Sequence, residues 1–190
     1  MLQDTDALLL VDVQRDFLPG GSLAVPDGDE VVPVLAACAR EFARNDRPVF
    51  ASRDWHPTNH CSFKAAGGPW PPHCVADTPG AEIDPGLELP EDATIVSKAT
   101  TTEEDAYSAF EGTGLDSQLK HLRVKRLFVG GLATDYCVLN TALDALKLGY
   151  EIVLITDAVR AIDDADGKRA IEQLRNKGAR IADSAAVLER

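Results

Sequence analysis

Residues 7–13 form a run that is apolar throughout except at Asp12. Such a run offers no polar face to water, so it belongs in a strand covered on both sides, and a parallel sheet between two layers of helices supplies both covers. The rest of the chain has the matching parts. Residues 48–52, 94–97, 125–129, 151–156 and 179–182 read as further short strands. Between them, Val31, Leu35 and Phe42 share one helical face, with Pro33 tolerated because it falls near the first turn. Residues 115–122 read as a second helix, and Leu139, Leu143 and Leu146 recur at helical spacing until Gly149 offers a stop. Residues 165–177 give a helix closed by Gly178. Strands alternating with helices over residues 1–190 predict one α/β domain. It is a doubly wound, mainly parallel six-stranded sheet with helices on both faces.

Composition narrows the partners. Thirty-one acidic against 19 basic side chains give a net charge of −12, which repels polyphosphate backbones and argues against nucleic acid. The start, Met1-Leu2-Gln3-Asp4, lacks the basic character of a signal peptide, and no apolar run approaches membrane-spanning length. A soluble cytoplasmic protein with no membrane partner is expected, and a homo-oligomer is left open. The four cysteines, Cys38, Cys61, Cys74 and Cys137, are too few and too irregularly spaced for a disulfide framework and are expected to be reduced. Cys38 belongs with the core-facing side of its helix.

In a doubly wound sheet, ligands bind beyond the carboxyl ends of the strands. Asp12, Asp54, Lys98 and Cys137 all fall at or just past such ends. Each alone has an ordinary explanation: a solvated strand-end charge, or a cysteine packed as a small core residue. Four together at one sheet edge suggest a site. Cys137 follows Gly130-Gly131-Leu132-Ala133-Thr134-Asp135-Tyr136, where the strand is expected to break on the glycines and a helix to start with Thr134 as N-cap. The dipole of that helix would favour a thiolate.

Such a cysteine matches covalent acyl transfer, with Asp12 moving protons and Lys98 offsetting negative charge on both. Backbone N–H groups of Ala133 and Cys137 are placed to form an oxyanion hole. His121 is the competing base, although nothing puts it at a strand's carboxyl end. Three of the four histidines, His56, His60 and His73, lie within one short interval with Asp54. Asp54 and His56, two apart on non-helical backbone, can face one ion, with a further nitrogen from His73 or His60. A zinc site through Cys61 and Cys74 is a rival, but the paired short spacings of zinc knuckles are absent.

These residues fall in an ordered set: Val11-Asp12-Val13-Gln14 with Asp16-Phe17, Asp54-Trp55-His56-Pro57 with His60, Trp70-Pro71-Pro72-His73-Cys74, Lys98, Tyr107-Ser108-Ala109-Phe110 and Ala133-Thr134-Asp135-Tyr136-Cys137-Val138. Over nearly its whole length the chain resembles the nicotinamidases of the isochorismatase-like cysteine hydrolase family. The resemblance implies Asp12, Lys98 and Cys137 as catalytic triad and Asp54, His56 and His73 as ligands of one divalent metal ion. His60 is a ligand in some relatives and a pocket residue in others. It also implies a cis peptide at Leu132-Ala133, an aromatic clamp from Phe17 and Trp70, and a substrate pocket that includes Leu132 and Tyr107. The implied activity is hydrolysis of nicotinamide, and of pyrazinamide, through a Cys137 thioester. Zinc, iron and manganese all suit such ligands. The alternatives are another amidase of the family or a non-catalytic metal-binding regulatory protein on the same fold. Ala99 departs from the pattern, since many relatives carry glycine after the lysine.

Overall fold

The structure, a computed structural model, describes residues 2–188. Six strands form one all-parallel sheet: β1 (Asp6–Val11), β2 (Val49–Asp54), β3 (Thr94–Lys98), β4 (Arg126–Leu132), β5 (Glu151–Arg160) and β6 (Arg180–Ala182). Their order is β3-β2-β1-β4-β5-β6. The chain therefore winds one way from β1 and then returns to continue on its other side, so β1 and β4 flank the point where the direction reverses.

Side chains alternate across the sheet and so define two cores. Leu8, Leu10, Val49, Ala51, Phe128, Val153 and Ile155 face helix α1 (Val31–Arg44), through Leu35, Cys38, Ala39 and Phe42, and Val187 of α5 (Ala185–Leu188). Ala7, Leu9, Val11, Phe50, Leu127, Val129, Ile152 and Leu154 face α2 (Leu115–His121), α3 (Leu139–Lys147) and α4 (Asp164–Asn176). The opening run is buried along its whole length because each of its faces meets a different helical layer. No helix among the described residues is long and apolar enough to cross a membrane.

Three expectations need correction. The strand does not break on Gly130 and Gly131 but runs through both to Leu132. A Cβ on Gly131 would lie 2.1 Å from the Val11 carbonyl oxygen, so glycine lets β4 lie close against β1 instead of ending the strand. Thr134 is not an N-cap. Thr134–Val138 is a π-helical turn preceded by Ala133, with no side-chain cap, and the α-helix proper begins at Leu139. The Asp135 carboxylate instead accepts the Ile162 and Asp163 N–H groups at 3.0 and 3.1 Å, tying this turn to the start of α4. Finally, β5 continues past Thr156 to Arg160, across a register shift opposite Val129 and Gly131. Asp157 lies within it and accepts both the N–H and the hydroxyl of Ser184.

Candidate active site

The sheet order brings the charged strand ends together. Lys98 closes β3, Asp54 closes β2 as its register partner, Asp12 follows β1, and Cys137 lies one turn beyond β4. Lys98 is the centre of the cluster. Its Nζ lies 3.0 Å from Asp12 Oδ2, 2.9 Å from the Ala106 carbonyl and 3.5 Å from Cys137 Sγ, and it donates a short hydrogen bond to Asp54 Oδ1. Lys98 and Asp12 are sealed from solvent, and Cys137 is 7% exposed. One oxygen each of Asp12 and Asp54 and the Cys137 sulfur lie within 4.8 Å of one another.

Charge follows from this packing. Burial opposes the Lys98 ammonium, but Asp12 and Asp54 outweigh it and hold its pKa well above the ordinary value. Burial likewise opposes the Asp54 anion, yet the Lys98 ammonium keeps its carboxyl well below the usual range. Asp12 goes the other way: burial, only partly offset by Lys98, and the neighbouring Asp54 raise it. Burial also pushes the Cys137 thiol well up, with Lys98 opposing and Asp12 and Asp54 adding to the rise. Burial thus works against the thiolate that a helix dipole would favour. A buried thiol beside a carboxylate whose proton affinity is raised is a pair suited to proton transfer.

Next to this cluster lies a ligand set. The His56 backbone pairs with the 74–76 segment, its N–H donating to the Cys74 carbonyl and its carbonyl accepting from Ala76 N–H. That pairing brings the rings of His56 and His73 to 4.9 Å between centroids. His56 Nδ1 faces the Ala99 carbonyl at 3.2 Å and His73 Nδ1 the Pro71 carbonyl at 2.8 Å. A carbonyl at Nδ1 fixes the proton there and turns Nε2 outward as a lone pair, as in metal-ligating imidazoles. His56 Nε2 is buried with no hydrogen-bond partner among the described residues, 3.6 Å from Asp54 Oδ2. Burial also lowers the His73 pKa, favouring neutral imidazole. One ligand atom each from Asp54, His56 and His73 falls within 4.8 Å of the others, so the set fits a divalent cation.

His60 stacks on His56 at 4.1 Å but its ring nitrogens are engaged elsewhere, Nδ1 with Ser62 Oγ at 2.7 Å and Nε2 with the Glu104 carbonyl at 3.1 Å. It lies outside the ligand set and ties two loops together. His121 is exposed at the end of α2, away from the cluster. Neither Cys61 nor Cys74 joins a metal-type group among the described residues.

A narrow pocket opens above Cys137, lined by Phe17, Leu23, Val25, Trp70, Tyr107, Tyr136 and Ile162, with Asp54 and His73 at its polar end. Trp70 Nε1 donates to the Tyr107 hydroxyl at 3.0 Å, and Trp70 meets the Tyr136 ring edge-on at 5.2 Å. The expected residues Phe17, Trp70, Tyr107, Ala133 and Cys137 line it, but Leu132 does not. Leu132 points toward the α1 core with Phe128, four positions earlier on the same face of the strand. Tyr136, Leu23, Val25 and Ile162 are further wall residues, beyond those that the sequence motifs assign to the pocket. Tyr136 was visible as an aromatic beside Cys137, whereas the other three come from distant loops with no local mark. The Leu132–Ala133 peptide bond is cis.

The isochorismatase domain model matches residues 6–186. The chain is 39% identical to the nicotinamidase of Escherichia coli, covering 92% of this chain and 93% of that one. Among solved structures, it superposes with a TM-score of 0.91 on the pyrazinamidase of Pyrococcus horikoshii in complex with zinc. That protein is 50% identical, and the match covers 94% of this chain and 99% of that one. A protein from L. infantum in complex with nicotinate is 38% identical, with a TM-score of 0.90 over 97% and 96% of the two chains.

Proposed function

The chain belongs to the isochorismatase family, and from that premise we propose that it is a nicotinamidase, hydrolysing nicotinamide to nicotinate and ammonia through a thioester on Cys137. The observation that carries this reading is the convergence of Asp12, Lys98 and Cys137 beneath an aromatic pocket whose far end is the Asp54, His56 and His73 set. The nicotinamidase and pyrazinamidase relatives, and the nicotinate complex of one of them, support the substrate class. Residues 1–190 are read as a single hydrolase domain.

In this mechanism the flat ring enters between Phe17 and Trp70, with Tyr107 and Tyr136 closing the wall. Asp12 accepts the thiol proton as Cys137 sulfur attacks the carboxamide carbon, and the Ala133 and Cys137 N–H groups receive the developing oxyanion. The C–N bond then breaks as Asp12 returns the proton to nitrogen, releasing ammonia and leaving the thioester. A water molecule, losing its proton to Asp12, attacks the thioester carbon, and the C–S bond breaks with the proton returning to sulfur. Lys98, never giving up its proton, keeps the ionised form of Asp12 accessible and holds it beside Cys137. Asp54, His56 and His73 would hold one zinc, iron or manganese ion, which when bound supplies an electrophilic anchor for a ring nitrogen.

The test is release of ammonia from nicotinamide, pyrazinamide and a few linear amides by the wild type and by Cys137→Ala. Turnover of the aromatic amides that Cys137→Ala abolishes supports the reading. Preference for linear amides would assign another amidase of the family, and no turnover at all would favour a binding role.

A further inference from the structure

The sheet loses two rungs where the site begins, and one side chain replaces both. Between β1 and β2 the parallel ladder runs with a constant offset: Leu8 N–H donates to the Pro48 carbonyl at 3.0 Å and Asp12 N–H to the Ser52 carbonyl at 3.2 Å. Continued by one step, it would pair Gln14 N–H with the Asp54 carbonyl and Asp54 N–H with the Asp12 carbonyl. Neither bond forms. Asp12 turns into the left-handed region at φ 49°, and Gln14 N–H folds back onto the Asp12 carbonyl at 2.9 Å. Both backbone groups of Asp54 would then be orphaned in a buried site, at the full cost of their desolvation.

The Gln14 carboxamide fills both places. Its Oε1 accepts Asp54 N–H at 2.7 Å, and its Nε2 donates to the Asp54 carbonyl at 2.8 Å. The second Nε2 proton reaches the Ala81 carbonyl at 2.9 Å, binding in the turn that precedes residue 82. Gln14 is fully buried, and this pattern of one acceptor and two donors admits only one orientation of its amide. A primary amide is the side-chain group that copies a peptide unit: glutamate would set oxygen against two carbonyls, and an apolar residue would satisfy none of the three partners.

We infer that Gln14 is a positioning residue for Asp54: by standing in for the missing β1 peptide, it fixes the backbone from which the Asp54 carboxylate serves Lys98 on one side and the His56–His73 ligand set on the other. The inference rests on the metal-assisted reading above. Without this clamp β1 could turn away to present Asp12, but the end of β2 would be free to shift, and Asp54 would no longer lie within reach of both partners.

The test compares the wild type with Gln14→Glu and Gln14→Met, each close to glutamine in size. Zinc affinity is read by competition with a chromogenic chelator, ammonia release from nicotinamide gives kcat and KM, and circular dichroism reports the folded fraction. Folded variants that bind zinc at least tenfold more weakly and turn over at least tenfold more slowly support the inference. Zinc affinity and kcat within twofold of the wild type, with or without a lower Tm, would overturn it and leave Gln14 a purely structural residue. A second measurement needs no variant: in the wild type, the Gln14 carboxamide protons should exchange with solvent far more slowly than those of exposed side-chain amides, and exchange at solvent rates would overturn the clamp. A wild type that binds no zinc yet releases ammonia overturns the positioning role toward a metal and leaves the cysteine hydrolase reading standing. A wild type that binds zinc but does not hydrolyse the amide sinks that reading, while the chelator comparison still decides the role of Gln14.

Discussion

The Ser52 hydroxyl donates a 2.6 Å hydrogen bond to Asp12 Oδ1, leaving Oδ2 of the same carboxylate to face Lys98 at 3.0 Å. With Asp12 N–H bonded to the Ser52 carbonyl, β2 holds Asp12 at two points. Ser52→Ala removes one of them, a hydrogen bond to a charged group worth about 1.5–3 kcal/mol. Steady-state kinetics should show kcat falling by roughly tenfold or more with KM for nicotinamide little changed, and Ser52→Thr, which keeps the hydroxyl, should retain most of the activity. Equal kcat in the alanine variant would mean that Lys98 alone sets the carboxylate.

His73 supplies its ligand atom from a loop, whereas Asp54 ends a strand. His73→Ala should therefore lose metal without losing the fold, and elemental analysis should find the metal content far below the wild type's. Substrate binding should weaken as well, since the His73 ring also forms part of the pocket wall beside Phe17 at 5.6 Å. An unchanged metal content would strike His73 from the ligand set.

Ala99 lies in the left-handed region at φ 51°, immediately after Lys98, and its carbonyl meets His56 Nδ1. A Cβ in that region is disfavoured by about 1–2 kcal/mol, a cost that glycine avoids while losing part of the gain to chain entropy. Ala99→Gly should raise stability by up to about 1 kcal/mol, visible as a higher Tm in thermal unfolding. A lower Tm would show that the Ala99 methyl, which is largely buried, packs more tightly than its backbone strains.

Cys38 lies on the core face of α1, and burial followed by the Asp157 charge pushes its thiol up to about 12 from an ordinary 9.0. The folded state keeps a proton that the unfolded chain releases above pH 9, so the stabilisation is complete below that pH and is lost as pH rises toward 12. The slope from this group is roughly 1.4 kcal/mol per pH unit. Denaturant unfolding between these pH values should show a flatter decline for Cys38→Ala than for the wild type. Parallel declines would mean that the alkaline loss comes from other groups.

The primary structure by itself determined the architecture and which charged residues share one edge of the sheet. A strand run with no polar face can be satisfied only between two helical layers, so the opening run already implied the doubly wound sheet, and charged residues at strand ends could then be assigned to one edge. Ordered motifs carried the rest by resemblance. What tertiary structure decided depends on contacts between segments that share no local pattern. The alternation of β4 sent Leu132 to the core, and close approach to Val11 of β1 at Gly131, and to Leu35 and Ala158 at Gly130, kept both glycines within the strand. Burial, a property of the assembled layers, opposes negative charge on both Cys137 and Asp12. Hydrogen bonds to the Ser62 hydroxyl and the Glu104 carbonyl turn the His60 ring nitrogens toward the neighbouring loops. Above all, the part taken by Gln14 exists only because β1 leaves the ladder beside β2: a glutamine in a motif has no assigned partner until two broken rungs supply one.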